Sequence, residues 1–249
     1  GPNGGGKTTL AKHLNGLLRP QEGTLRLFGE TTTGRRVGEL ARKVGYVFQS
    51  PDLQIFAVTV QEELAFGPRN IGLNEAEVRE CVEEALARFG LREWAEAPPA
   101  VLGYGLRRLV TIASVWTMQP PIWVLDEPTT GLDVRLTSRL VREMENLYAD
   151  GHTVLLITHD LRLVALLAQR LVIIANGQVA LDGPPRHLLS DTDALRPFGL
   201  RPPPITRLAN QVPWLPNNLL TIEELVAAVE GTERTEGTHG DSPPHPLIE

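Results

Sequence analysis

Short apolar runs alternate along this chain with stretches of helical period, and the alternation predicts an α/β fold. Strands are expected over residues 24–28, 44–48, 122–125, 153–157 and 171–175. The last three are unbroken apolar runs, as in Val154-Leu155-Leu156-Ile157, and read as strands buried on both faces of a parallel sheet. Helical stripes lie between them. Leu10, Ala11, Leu14, Leu17 and Leu18 recur at helical spacing over residues 8–18, with His13 and Asn15 off the stripe and solvated. Val78, Val82, Ala85, Leu86 and Phe89 form a second stripe, opened by a capping box of Asn74 and Glu77. Thr59 and Glu62 make another box, with Gly67-Pro68 as the stop of that helix. Residues 59–118 therefore read as a mainly helical insert between two strands.

The pattern changes near the end. Arg201-Pro202-Pro203-Pro204 is a rigid boundary, followed by two short helices over 205–211 and 221–230. The second is boxed by Thr221 and Glu224 and stopped by Gly231. Residues 231–249 have almost nothing to bury, so disorder is expected there, with His239 and His245 solvated.

Composition narrows the classes. The chain has 249 residues, 42% of them hydrophobic, which suffices for one sizeable core and a small appendage. A net charge of −6 gives no support to a nucleic-acid partner. Cys81 is the only cysteine, so no internal disulfide forms; it sits beside an apolar stripe and reads as packing. No apolar run approaches the ~20 residues of a membrane helix.

The chemistry begins at the first residue. Gly1-Pro2-Asn3-Gly4-Gly5-Gly6-Lys7-Thr8 fits G-x-x-x-x-G-K-[ST] without mismatch. Glycines let the backbone curl around a triphosphate with its N–H groups inward, and the following helix presents its positive end. Lys7 adds a full charge on the β- and γ-phosphates, and the Thr8 hydroxyl is placed to ligate Mg²⁺. A chance glycine turn would not carry the whole pattern with a helix opening at its end. Such a loop normally follows a buried strand, and here the pattern starts at its first letter. The chain is therefore expected to be a fragment that, as it stands, binds ATP poorly or aggregates through unpaired strand edges.

Two acids supply the second half of the site. Asp126 and Glu127 end the 122–125 strand, at the carboxyl edge of a parallel sheet where ligands bind. Asp126 can hold Mg²⁺ directly or through water, and Glu127 can polarise the water that attacks the γ-phosphate. Thr158-His159-Asp160 closes the next strand. His159 is either an ordinary core histidine or a group that bonds the γ-phosphate or orients the water.

Phosphate loop, Gln49 after a strand, Leu102-Gly103-Tyr104-Gly105-Leu106, Leu125-Asp126-Glu127-Pro128, Thr130-Gly131-Leu132-Asp133 and Thr158-His159-Asp160 follow in that order. Over residues 1 to about 190 the chain resembles the ATP-binding subunits of ABC transporters. The resemblance implies an α/β P-loop NTPase domain over 1–195, with a helical subdomain at about 59–118. It implies ATP and Mg²⁺ as cofactors. Gly1 through Thr8, with Thr9, Gly103 and Gly105, would then bind nucleotide, and Thr8, Gln49 and Asp126 the metal. Gln49 would touch Mg²⁺ and water and sense the membrane partner, Glu127 would be the general base, His159 the switch histidine, and Asp133 would lie at a dimer interface. The segments 49–57 and 62–70 are similar to the energy-coupling factor group, the cobalt and vitamin importers. Residues 200–230 resemble that group's small C-terminal helical extension.

One motif departs from the family. The L-S-G-G-Q segment reads Leu102-Gly103-Tyr104-Gly105-Leu106 here, and Leu109 stands where an arginine is usual. Gly103 lacks the serine hydroxyl and Leu106 the amide, while Gly105 and the helix-end amides remain. Each lost hydrogen bond to a charged group costs about 1.5–3 kcal/mol, roughly 10- to 150-fold in rate or affinity. Intact acids beside an eroded segment point to a heterodimer with a second ATPase subunit. Together with a transmembrane coupling subunit and a substrate-binding membrane subunit, it would work at the cytoplasmic face of the membrane. The alternatives are a degenerate ATP-binding partner or a soluble ABC ATPase of DNA repair or translation.

Overall fold

Three parallel strands organise the larger of two units, Gly6–Thr158. They are β3 (Val44–Val47), β4 (Ile122–Asp126) and β5 (Thr153–Ile157), in the order β3-β4-β5. The computed structural model describes residues 1–236. The register sets Val47 beside Leu125 and Leu125 beside Leu156. All three strands therefore end at one edge of the sheet, where Gln49, Asp126-Glu127 and Thr158 follow. β3 is buried throughout and β4 nearly so. Ala11, Leu27, Leu40, Val44, Tyr46, Val124 and Ile157 make one core cluster of this unit.

The remaining elements of the unit follow from local chemistry. α1 (Lys7–Leu14) leaves the phosphate loop, β1 (Arg26–Leu27) and β2 (Glu30–Thr31) form a short hairpin, and α2 (Val37–Ala41) precedes β3. α3 (Val60–Asn70) and α4 (Glu75–Arg88) each begin with a complete capping box, on Thr59/Glu62 and Asn74/Glu77 as the spacing predicts. α5 (Tyr104–Trp116) is buried along Arg108–Trp116. α6 (Val134–Ala149) starts at Asp133, whose carboxylate accepts the Leu136 N–H at 2.8 Å.

The smaller unit holds Gly1–Gly5 and the chain from His159. Its α7 (Leu161–Leu167) leads to β6 (Leu171–Ala175) and β7 (Gln178–Gly183), an antiparallel hairpin. The two-residue turn is Asn176-Gly177, with φ of 52° and 73°, the primed turn that matches strand twist. α8 (Pro185–Ser190), α9 (Thr192–Leu195), α10 (Pro204–Ala209) and α11 (Ile222–Glu236) complete it. Val164, Leu171, Ile173, Leu189, Leu195 and Leu220 form its main core. Arg186 and Glu224 join α8 to α11 as an ion pair.

Several expectations are corrected. α1 ends at Leu14, because Gly16 at φ 77° turns the chain, so Leu17 and Leu18 lie beyond the helix and are largely exposed. Asn15 is buried, not solvated; its side chain accepts the Leu17 N–H at the helix end. α3 continues through Pro68 instead of stopping there. Proline removes the N–H owed to the Leu64 carbonyl, which instead lies 3.0 Å from the Thr117 hydroxyl, whose single proton it shares with the Ser114 carbonyl at 2.8 Å. β5 and β6 are not buried on both faces: Thr153, Leu155 and Val172 are exposed. β2 and β7 were not anticipated. α11 runs on through Gly231 to Glu236, since an interior glycine costs only about 1 kcal/mol and no proline follows directly. The rest of the expected disordered tail, with His239 and His245, lies outside the described residues.

Packing behind the sheet edge is tight. A Cβ on Gly45 of β3 would sit 2.4 Å from Val115 and 2.6 Å from Pro120. Gly45→Ala is expected to cost about 1–3 kcal/mol of stability by overpacking. Urea unfolding checks it, and an unchanged midpoint would mean that the neighbours yield freely.

Candidate nucleotide site

The acids occupy a buried position, with Asp126 only 3% exposed at the end of β4. Its Oδ2 accepts two hydroxyls: Thr8 Oγ1 at 2.8 Å from α1, and the Tyr46 phenol at 2.9 Å from β3. Burial, then the charge of Asp126, pushes the Tyr46 phenol far above its ordinary range, so it remains a donor at any working pH. A buried carboxylate without such donors would cost several kcal/mol, about the scale of a whole domain's margin. Two elements besides β4 are thus tied to one oxygen.

Glu127 follows in a left-handed conformation, φ 46°, which costs a non-glycine residue about 1–2 kcal/mol. Its N–H is held by the Ile157 carbonyl at 2.8 Å. Its Oε2 lies 3.5 Å from the hydroxyls of Thr130 and Thr158. Strain of this kind at a buried acid is characteristic of functional turns.

The oxygen set at Thr8 and Asp126 suits a hard cation such as Mg²⁺, which takes one or two carboxylates and completes its shell with phosphate oxygens and water. Among the described residues no cluster of three or more His, Cys, Asp or Glu could hold a metal ion. Gln49, the third expected ligand, begins the exposed loop after β3. That loop is braced at its base by Gln54, whose side chain accepts the Phe48 N–H and donates to the Thr111 carbonyl, both at 3.1 Å.

The phosphate loop divides between the units. Gly6, at φ 103°, caps α1, and Lys7 and Thr8 open it, in the unit that holds Asp126. Thr9 follows on an exposed turn, its carbonyl accepting from His13. Gly1, Pro2, Asn3, Gly4 and Gly5 belong to the other unit. There Gly5 accepts the Gly177 N–H at 3.0 Å, and a Cβ on Gly1 or Gly5 would fall within 2.6 Å of the Ile174 carbonyl oxygen. Glycine at these two places thus answers to the β6–β7 hairpin. His159 is exposed and is also part of that unit, one residue beyond Thr158.

Gly103 is the N-cap of α5 and, lacking a hydroxyl, makes no side-chain capping bond. Gly105 faces Leu136 of α6: a Cβ there would lie 2.3 Å from the end of that side chain, which would have to move aside. Tyr104 covers Gly131 in the turn after Glu127. Two residues escaped the sequence reading. Tyr46 was visible only as one polar aromatic in a buried strand. Arg108 is fully buried and donates to main-chain carbonyls at the ends of both β3 and β4. Its signal was a cation on the apolar side of an otherwise buried helix.

Removing the Tyr46 hydroxyl deletes a hydrogen bond to a buried charge. Tyr46→Phe is expected to lose about 1.5–3 kcal/mol of stability. Denaturant unfolding at neutral pH measures it, and a loss below about 0.5 kcal/mol would remove the bond from this account.

Residues 1–130 match the family ABC transporter. The cobalt import ATP-binding protein CbiO of Rhodobacter capsulatus is 43% identical over 243 residues, covering 94% of this chain and 86% of that protein. The energy-coupling factor transporter ATP-binding protein EcfA of Methanocaldococcus jannaschii is 40% identical over 210 residues, covering 84% and 75%. The solved structure of cbiO1 from Clostridium perfringens, part of the ABC transporter complex cbiONQ, aligns with a TM-score of 0.70 at 33% identity, over 84% of this chain and 85% of that one. The share of a relative's length that the chain spans goes from 40% to 86%. Motif order, the hydroxyl-bound acid at the strand end and these similarities agree, and the chain belongs to the ABC transporter family, in its ATP-binding part.

Proposed function

We propose that this chain hydrolyses ATP to energise import of a metal ion or vitamin-like substrate through membrane partners. The observation that carries the reading is the Thr8–Asp126–Tyr46 cluster with Glu127 held in a left-handed turn beside it. In this reading Lys7 attracts the β- and γ-phosphates. Thr8 and Asp126 present oxygens to the nucleotide's Mg²⁺, whose charge offsets that of the phosphates. Glu127 accepts a proton from the attacking water, and Gln49 and His159 orient that water and the terminal phosphate.

The import role is supported by the relatives named above. With it come a second ATPase subunit, a transmembrane coupling subunit and a substrate-binding membrane subunit, at the cytoplasmic face of a membrane. No helix among the described residues is long and apolar enough to cross a membrane, so the chain would attach through partners. The bare N-cap at Gly103 favours a heterodimer in which the site completed by this α5 is the weak one.

Two experiments on the full-length protein test this, the first with its partner subunits present. Glu127→Gln should lower turnover by about 10²–10⁴-fold while MgATP binding persists. Full turnover in that variant would end the reading of Glu127 as base. Gly103→Ser with Leu106→Gln should raise the turnover of the chain assayed alone by at least about 10-fold, one restored charged hydrogen bond's worth. An unchanged rate would count against the eroded segment as the cause of asymmetry.

A further inference from the structure

Arg108 is the only basic side chain buried among the described residues, and it faces no carboxylate at hydrogen-bonding distance. Its Nε donates to the Pro128 carbonyl at 3.0 Å. Nη2 donates to the carbonyls of Asp126 and Glu127, both at 2.9 Å. Nη1 donates to the Gln49 carbonyl at 3.2 Å and, more closely, to that of Phe48. A guanidinium has five N–H donors in a fixed planar fork, and here five carbonyls receive them. Two come from the end of β3 and three from the turn after β4.

The acceptors flank the strained residue. The Asp126 and Glu127 carbonyls bound by Nη2 lie on either side of the Glu127 α-carbon, and the Glu127 N–H is fixed by Ile157. The peptide planes around a left-handed, non-glycine residue are thereby all held. The side chain comes from α5, five residues after its N-cap Gly103, and Leu109 beside it is simply buried.

We propose that Arg108 is a positioning residue for hydrolysis. It locks the main chain of Gln49 to that of Glu127 and sustains the left-handed turn that aims the Glu127 carboxylate. The inference rests on reading Glu127 as the base. It also makes α5, whose first turn carries Gly103 and Gly105, mechanically continuous with that base. Lysine cannot substitute, because a single ammonium offers three donors from one point and cannot span two strand ends.

The test compares Arg108→Lys, Arg108→Ala and Glu127→Gln in the full-length protein, by kcat, KM for MgATP, equilibrium nucleotide affinity and thermal midpoint. Arg108→Lys is expected to lower kcat by about 10- to 100-fold, one to two decades of barrier, with KM and affinity within about threefold. In Arg108→Ala, millimolar ethylguanidinium is expected to restore part of kcat, and in Glu127→Gln none of it. Wild-type kcat in Arg108→Lys beside an inactive Glu127→Gln overturns the inference alone. So does a parallel loss of affinity, midpoint and kcat in both arginine variants, which would make Arg108 a packing residue. An active Glu127→Gln removes the underlying reading and this inference together.

Discussion

A charge that must be buried dominates the larger unit. Asp126 ends the central strand away from water, and it is tolerable there because hydroxyls from α1 and β3 reach the same oxygen. That requirement couples parts of the chain separated by 118 and 80 residues. It aligns the start of α1, and hence Lys7, with the strand that carries the acids. The parallel register does the rest by bringing three strand ends to one edge.

The turn after Asp126 shows a second way of satisfying polar groups. Main-chain carbonyls at two strand ends converge on one guanidinium rather than on water. Burial pulls the Arg108 pKa down, against Tyr104 and the two acids, which raise it. The hydrogen bonds of this cation all go to main-chain carbonyls.

Much of this was legible beforehand, wherever the determining interaction is local. Two of the three expected capping boxes formed complete, because a side chain three residues from the cap reaches its own helix end; at the third, Thr221 accepts the Glu224 N–H while the Glu224 carboxylate takes the Leu220 N–H. Two of the three unbroken apolar runs became parallel strands, β4 and β5, whereas the third, Leu171–Ala175, became β6 of an antiparallel hairpin, and the remaining parallel strand is β3. Other elements depended on partners distant in sequence. Pro68 stays within α3, where the Leu64 carbonyl it leaves unbonded meets the Thr117 hydroxyl of α5's end, a neighbour that no local pattern announces. Asn176-Gly177, by contrast, was a readable turn signal that went unread, and β7 was lost with it.

By itself the sequence determined the phosphate loop, the strand ending in Asp126 and Glu127, and the order of motifs that marks the family. These are runs of adjacent residues whose chemistry is set by spacing along one strand or turn. Only the tertiary structure decided that Tyr46 and Thr8 share one carboxylate oxygen, and that Gly105 comes to lie against Leu136. It alone also decided that Arg108 grips two strand ends. Each of those depends on which side chains meet across the sheet edge, and hydrophobic periodicity fixes the facing of an element without naming the atoms it will touch.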